Sequence, residues 1–263
     1  MAQGELGVVL KTTPLRESDL LVTLYTEQHG RISAVARGAR KSQRRFAGAL
    51  QLLVLGRYQL GRRPRGELWS LDAAEVEREW HALASDVVAV AHASYIAELV
   101  GALLPAEAPD PEAIAIIVGL WDSLAAGGPS PAVLRAVELA LLELAGHRPA
   151  LDGCAACGRA ELAGAVFDPE RGGAICRSCA AHSRTAGVRA IDAAALDYMR
   201  AIAAAGIEGA RACDADPAFA PGDRRTAREA LIAMVTSLVG KPLRSLDYIA
   251  KLGAAERRLH GDA

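Results

Sequence analysis

Two Cys-x2-Cys pairs, Cys154 with Cys157 and Cys176 with Cys179, stand eighteen residues apart. Each pair can turn two thiolates toward one point, and two pairs complete a tetrahedral sulfur set for zinc. Gly153, Gly158, Gly172 and Gly173 supply the turns such knuckles need. The segment is short of apolar residues, so a metal is expected to stand in for a core, contributing about 10–16 kcal/mol of apparent binding energy. Four thiolates leave no open position for water, which points to one structural zinc per chain and not a catalytic ion. His182 is surplus to this set, and Cys213 reads as a free thiol. A disulfide pair or a site without metal is the rival reading.

Positive charge is also segregated. Residues 31–65, RISAVARGARKSQRRFAGALQLLVLGRYQLGRRPR, hold ten Lys/Arg and no acidic residue, in a chain whose totals are 30 basic and 31 acidic. Surfaces ordinarily mix the two signs. The planar fork of Arg suits phosphate oxygens, so the stretch reads as a platform for a polyanion. Arg37, Arg40, Lys41, Arg44, Arg45, Arg62, Arg63 and Arg65 are the expected phosphate contacts. Phe46 and Tyr58 could each stack on a base or sit in the core. Core is favoured for Tyr58, while Phe46, lying among arginines, is a candidate DNA contact with both readings open. Residues 1–70 carry twelve Lys/Arg against five Asp/Glu, and the remainder eighteen against twenty-six. A basic head on an acidic body suggests two surfaces with different partners.

These residues need scaffolding. Segments 6–12, 19–26, 31–36, 50–60 and 67–72 read as strands separated by turn signals, with Gly56 a bulge and residues 37–48 a loop or a short exposed helix. Five short strands suggest a small barrel of the OB type, with an open sheet as the alternative. From Ala73 the pattern turns helical, with Asp72 as N-cap. Further helices are expected over 87–104, from Pro111 to 126, from Pro131 to 144, and over 190–205, 224–239 and 246–259, with 105–111 as a linker. Trp80, Trp121, Met199 and Met234 fall on apolar faces and read as core. The expected architecture is an α+β multidomain protein. Residues 1–78 form a nucleic-acid-binding OB-fold and 79–263 a helical domain, with the zinc module, about 150–183, inserted.

The composition fits a globular protein with a sizeable core. No signal peptide or membrane span is read, and paired cysteines in a metal pattern favour a reducing cytoplasm. A phosphate loop, HExxH and GxSxG are all missing, so an enzyme is not expected. Two alternatives follow from the same residues: an RNA-binding protein with an OB-fold and zinc ribbon, and a zinc hydrolase using His182 or an acidic neighbour.

In their order, several segments resemble the bacterial RecO family of DNA repair proteins. They are Glu17-Ser18-Asp19, Thr26 with Gly30, and Gly38-Ala39-Arg40 with Ser42. Further along come Tyr95 with Glu98-Leu99, residues 141–158, and Leu243-Arg244-Ser245. Ala136-Val137 departs from the pattern, where an aromatic would be expected, and that bears on packing more than on function. The resemblance implies an OB-fold, a helical domain and a four-cysteine zinc module. It implies a recombination mediator that binds single- and double-stranded DNA and anneals complementary strands. Such a protein works with RecR, engages the C-terminal tail of the single-strand binding protein SSB, and helps load RecA. A groove between helices could take that acidic, apolar tail, with Lys241 or Arg244 at its rim.

Overall fold

The computed structural model describes residues 4–62, 68–185 and 187–259. It begins with five strands: β1 (Glu5–Pro14), β2 (Leu20–Thr26), β3 (Gly30–Ala36), β4 (Val54–Gly61) and β5 (Trp69–Glu79). They close in the order β1-β2-β3-β5-β4. β3 and β5 pair in parallel from Ala34–Trp69 to Ala36–Leu71, and β1 returns to β4 between Glu5–Tyr58 and Val8–Leu55. This is a five-stranded OB-fold barrel, and closure leaves few unpaired edges. Alternation drives it. Val22, Leu24, Ile32 and Ala34 point inward and are buried, while Thr23 and Ser33 between them are half-exposed. Each buried Leu, Val or Ile is worth about 1.5–3 kcal/mol relative to exposure.

Three sequence expectations are corrected here. The helix expected from Ala73, capped by Asp72, is the second half of β5, which runs to Glu79 against β4. Ala, Glu and Arg favour helix, but Leu71 and Ala74 face the core, and pairing with β4 outweighs propensity. The strand expected from residue 50 starts at Val54, because residues 50–53 form a turn ending at Leu53 with φ of 65°. Phe46 is only 3% exposed and packs in the barrel core, so it does not serve as a base-stacking residue. The bulge at Gly56 is present as a register shift between Leu55 and Gly56.

Helices follow: α2 (Val87–Leu103), α3 (Pro111–Gly127), α4 (Pro131–Leu144), α6 (Ala193–Gly209), α7 (Pro221–Val239) and α8 (Arg244–Leu259), with two short helices, α1 (Gln43–Phe46) and α5 (Arg177–Ala180). The starts of α3 and α4 are capped: Asp110 accepts the Glu112 N–H at 2.9 Å and Ser130 the Val133 N–H at 3.1 Å. Asp86 caps α2 by accepting from Val88 and Ala89.

Contacts group the chain into two compact units. One holds residues 1–129 and 243–263, combining the barrel with α2, α3 and α8. Its core includes Trp80 and Trp121, whose rings meet edge to face at 5.0 Å. The other holds residues 130–242, with α4, α6 and α7 around buried Met199 and Met234 and a buried Arg135–Glu138 ion pair of 2.7 Å. Between α4 and α6 lies a small sheet of β6 (Val166–Asp168), β7 (Gly173–Ile175) and β8 (Arg189–Ala190). Among the described residues no helix is long and apolar enough to cross a membrane.

Candidate nucleic-acid interface and metal centre

The basic stretch divides into loop cations without a carboxylate partner and cations that Glu77 and Glu107 engage. At one end β3 stops at Ala36 and the chain enters residues 37–53, which cap the barrel. Phe46, Ala49 and Leu53 are buried beneath it, and the Tyr58 hydroxyl donates to the Ala49 carbonyl at 2.9 Å. Tyr58 is therefore core, and burial pushes its phenol far above the usual range. With its apolar residues turned inward, the loop turns Arg37, Arg40, Lys41, Arg44 and Arg45 to solvent. No described carboxylate oxygen lies within 4.0 Å of any of these five cations.

The loop is braced rather than loose. The Arg45 guanidinium donates to the Arg37 carbonyl at 2.6 Å, and the Arg40 guanidinium to the Glu17 carbonyl at 3.1 Å. The Arg40 N–H reaches the Ser18 carbonyl at 3.0 Å. Asp19 accepts the Gly38 N–H at 2.9 Å, which holds the Asp19 carboxyl below its ordinary value, helped by the Ser18 hydroxyl and the Arg16 and Arg37 charges. Gly38 has φ of 66°, which a side chain would resist. The guanidinium groups keep donors free, because each has five and the bracing uses one.

The other end of β3 is covered. Residues 104–110 lie across it: the Glu107 N–H donates to the Arg31 carbonyl at 3.0 Å, and Arg31 donates to the Leu104 carbonyl at 3.1 Å. Gly30 is packed so closely on Ala108 that a β-carbon would sit 2.4 Å from its carbonyl oxygen. Glu107 then receives the Arg62 guanidinium at 3.4 Å and the Trp69 indole N–H at 3.4 Å, while Arg62 lies over the Trp69 ring. Arg57, another member of the basic stretch, pairs with Glu77 at 2.7 Å. Arg63 and Arg65 lie outside the described residues. Arg62 is held by Glu107 and so is not one of the uncompensated cations of the loop.

One cation of the loop's neighbourhood lies outside the basic stretch. Arg16, in the turn between β1 and β2, is exposed and close enough to Asp19 to lower its pKa. A signal existed in the sequence, since a hairpin of residues 6–26 puts this turn beside the end of the next strand.

The four cysteines converge. Their sulfurs all lie within 4.8 Å of one another, with Cys157 and Cys176 at 3.9 Å. Tetrahedral bonds of about 2.3 Å place sulfurs about 3.8 Å apart, so the set fits a zinc-sized thiophilic cation. Two knuckles make the geometry. In the first, the Gly158 N–H donates to the Cys154 carbonyl at 2.8 Å, with Gly158 at φ of 74°. In the second, α5 carries Cys179 one turn beyond Cys176. Gly173 allows β7 to touch residue 150, where an added β-carbon would meet the Ala150 carbonyl oxygen at 2.5 Å.

Local dipoles prepare the sulfurs. The Ser178 hydroxyl, 3.1 Å away, and the Cys179 N–H draw Cys176 down to about 6. Burial opposes ionisation of Cys154, but the N–H groups of Cys176, Ala156 and Cys157 outweigh it and lower its pKa. Cys179 is pushed up to about 12 by the Cys176 and Cys157 sulfurs beside it. A central cation would relieve that crowding. His182 is held at 2.9 Å from the Ser178 carbonyl and is outside the cluster. Cys213 is buried, and burial pushes its thiol up.

Lys241 is exposed just past Gly240, the left-handed cap of α7. Arg244 is exposed at the first turn of α8, its backbone N–H donating to Glu98 at 3.1 Å.

The chain matches two family models, Recombination protein O N terminal over residues 1–80 and Recombination protein O C terminal over residues 84–247. Curated relatives called DNA repair protein RecO align along nearly the whole length. The protein of Anaeromyxobacter sp. (strain K) is 40% identical over 249 residues, covering 94% of this chain and 95% of that one. That of Myxococcus xanthus (strain DK1622) is 35% identical over 247 residues, covering 94% and 96%.

Proposed function

This chain belongs to the recombination protein O family of DNA repair proteins, and from that premise we propose that it is a recombination mediator which anneals complementary DNA strands. The observation that carries this reading is the basic loop, where five exposed cations without carboxylate partners rise from a braced turn on a closed barrel.

Annealing requires two polyanions to approach. Their repulsion acts within about 8 Å at physiological salt. Arg37, Arg40, Lys41, Arg44 and Arg45 lower that barrier by neutralising phosphates and releasing counterions, for single- and double-stranded DNA alike. They carry no base code, as annealing of any sequence requires. Arg63 and Arg65 would add to the surface, and Arg62 would do so once free of Glu107.

Zinc is the proposed ion of the four-cysteine centre. Bound there it supplies folding energy to a module with little apolar core. Cys154, Cys157, Cys176 and Cys179 would hold it, with the Ser178 hydroxyl and the N–H groups around Cys154 stabilising the thiolates. The proposed protein partners are RecR and the C-terminal tail of SSB, and loading of RecA is the proposed consequence. Lys241 and Arg244 are the proposed contacts for the acidic tail.

The test is annealing of complementary oligonucleotides coated with SSB. Native protein should accelerate annealing. A variant with Arg40, Lys41, Arg44 and Arg45 changed to Ala should not, while still folding and keeping its metal. Equal acceleration by both would place the DNA surface elsewhere, and none by either would remove the mediator reading.

A further inference from the structure

We propose that the four-cysteine centre is a site of reversible oxidation by hydroperoxides, in which Cys176 and Cys157 join as a disulfide and the metal is released. The proposal rests on the zinc reading above and concerns what this chain's own sulfurs do beside the ion.

One wall of the centre is open. A cavity of about 350 Å³ reaches Cys176, and Arg159, Glu161, Arg177 and Ser178 line it. The Ser178 hydroxyl lies 3.1 Å from the Cys176 sulfur. Neither arginine has a described carboxylate oxygen within 4.0 Å, that of Glu161 included. A small uncharged oxidant such as hydrogen peroxide fits this space. The guanidinium N–H groups are donors for the hydroxide that leaves when the sulfur attacks it.

The partner sulfur follows from burial and distance. Cys157 is the exposed member of the set, and its sulfur lies 3.9 Å from that of Cys176. A disulfide bond of about 2.0 Å asks for about 2 Å of approach. Cys154 is buried, and its sulfur accepts the Cys176 N–H at 3.3 Å. Cys179 stands in the same knuckle as Cys176, on α5. A Cys157–Cys176 bond joins the two knuckles, so the module keeps a cross-link after the ion has gone. Pairing of β6 with β7, and the Ala155 N–H donating to the Ala174 carbonyl at 2.8 Å, hold the surrounding segments in register. Reduction in the presence of zinc then rebuilds the centre.

The chemistry balances in two steps. The Cys176 thiolate gives an electron pair to a peroxide oxygen; an S–O bond forms, the O–O bond breaks and hydroxide leaves. The Cys157 thiolate then attacks the Cys176 sulfur; the S–S bond forms, the S–O bond breaks and a second hydroxide leaves. The sulfurs give up two electrons, the peroxide takes both, and two solvent protons turn the hydroxides into water. The disulfide removes two of the four ligands, and the remaining pair does not complete a tetrahedral site.

The test uses the zinc-loaded full chain, with metal content measured first. Equimolar hydrogen peroxide should release about one zinc per chain to a chromogenic chelator. Thiols counted in denaturant should fall from five to three, two being joined. Peptide mass mapping should find Cys157 bonded to Cys176, with buried Cys213 still reduced. A dithiol reductant with added zinc should return thiols and metal together. With dimedone present, the sulfenic acid should be trapped on Cys176. The Arg159→Ala/Arg177→Ala variant keeps all four ligands, so it should load zinc normally but release it roughly tenfold more slowly. If the chain binds no zinc, this proposal and the metal reading fail together. If zinc binds but peroxide leaves metal and thiols intact, this proposal fails and the metal reading stands. A disulfide between other cysteines, or a dimedone adduct on Cys157, overturns the assignment of roles. Release at the native rate from the arginine variant removes the cavity from the mechanism.

Discussion

The carboxylate of Glu98 in α2 receives the backbone N–H and the hydroxyl of Ser245, 147 positions later, at 2.9 and 2.5 Å. It also receives the Arg244 N–H at 3.1 Å, so a side chain of α2 caps the start of α8. Burial works against the charge, but the three hydrogen bonds outweigh it and hold Glu98 below its ordinary 4.5. A group depressed in this way stabilises the fold above its unfolded value, and that contribution is lost as pH falls through the folded value. Glu98→Ala should therefore destabilise the chain by about 1 kcal/mol near pH 7 and by less below pH 4, read from denaturant midpoints at both values.

Asp19 does the same for the basic loop through Gly38. Its depressed carboxyl remains charged well below neutrality, so the brace is complete above the ordinary 3.8 and is lost as pH falls through the lowered value. Asp19→Ala should weaken DNA binding severalfold at pH 7 with little change in melting temperature. Native binding should lose nothing from this contact between pH 7 and pH 5.

Salt dependence measures the number of cations engaged. The Arg40, Lys41, Arg44 and Arg45 to Ala variant should flatten the single-strand slope by about 3, because each phosphate contact contributes about 0.7. An unchanged slope in anisotropy titrations would show that these side chains do not meet phosphate.

Glu107 is predicted to restrain binding. Its carboxylate occupies Arg62, whose side chain is 70% exposed. Glu107→Gln keeps an acceptor for the Trp69 indole while removing the charge. Affinity should rise about twofold to threefold and the salt slope should steepen by about 0.7.

Metal removal should act on folding. Cys179→Ser, or chelation of the native chain, should lower bound zinc from one per chain toward none and increase proteolysis within residues 150–183. DNA affinity of the barrel should change by less than about twofold, since its phosphate contacts are on other residues. Metal analysis, limited proteolysis and anisotropy on the same samples separate these effects.

Chemistry was legible in the sequence wherever it depended on residue type at short spacing. The two Cys-x2-Cys pairs converge, and residues 37–45 form an exposed basic loop. Period-two apolar patterns located four of the five strands to within a few residues, and Pro111 and Pro131 marked helix starts. Those signals are local, because a cap or a knuckle is completed by residues a few positions away.

The tertiary structure alone decided what depends on a distant partner. Residues 73–79 have helical composition, yet β4 supplies hydrogen-bond partners and a core that make them strand. Phe46 is surrounded by arginines in sequence and by the barrel core in space. Ten cations stand together in the chain, but Glu77 takes Arg57 and Glu107 takes Arg62, leaving residues 37–45 as the part without carboxylate partners. Charge balance and burial are set by neighbours through space, and spacing along the chain does not report them.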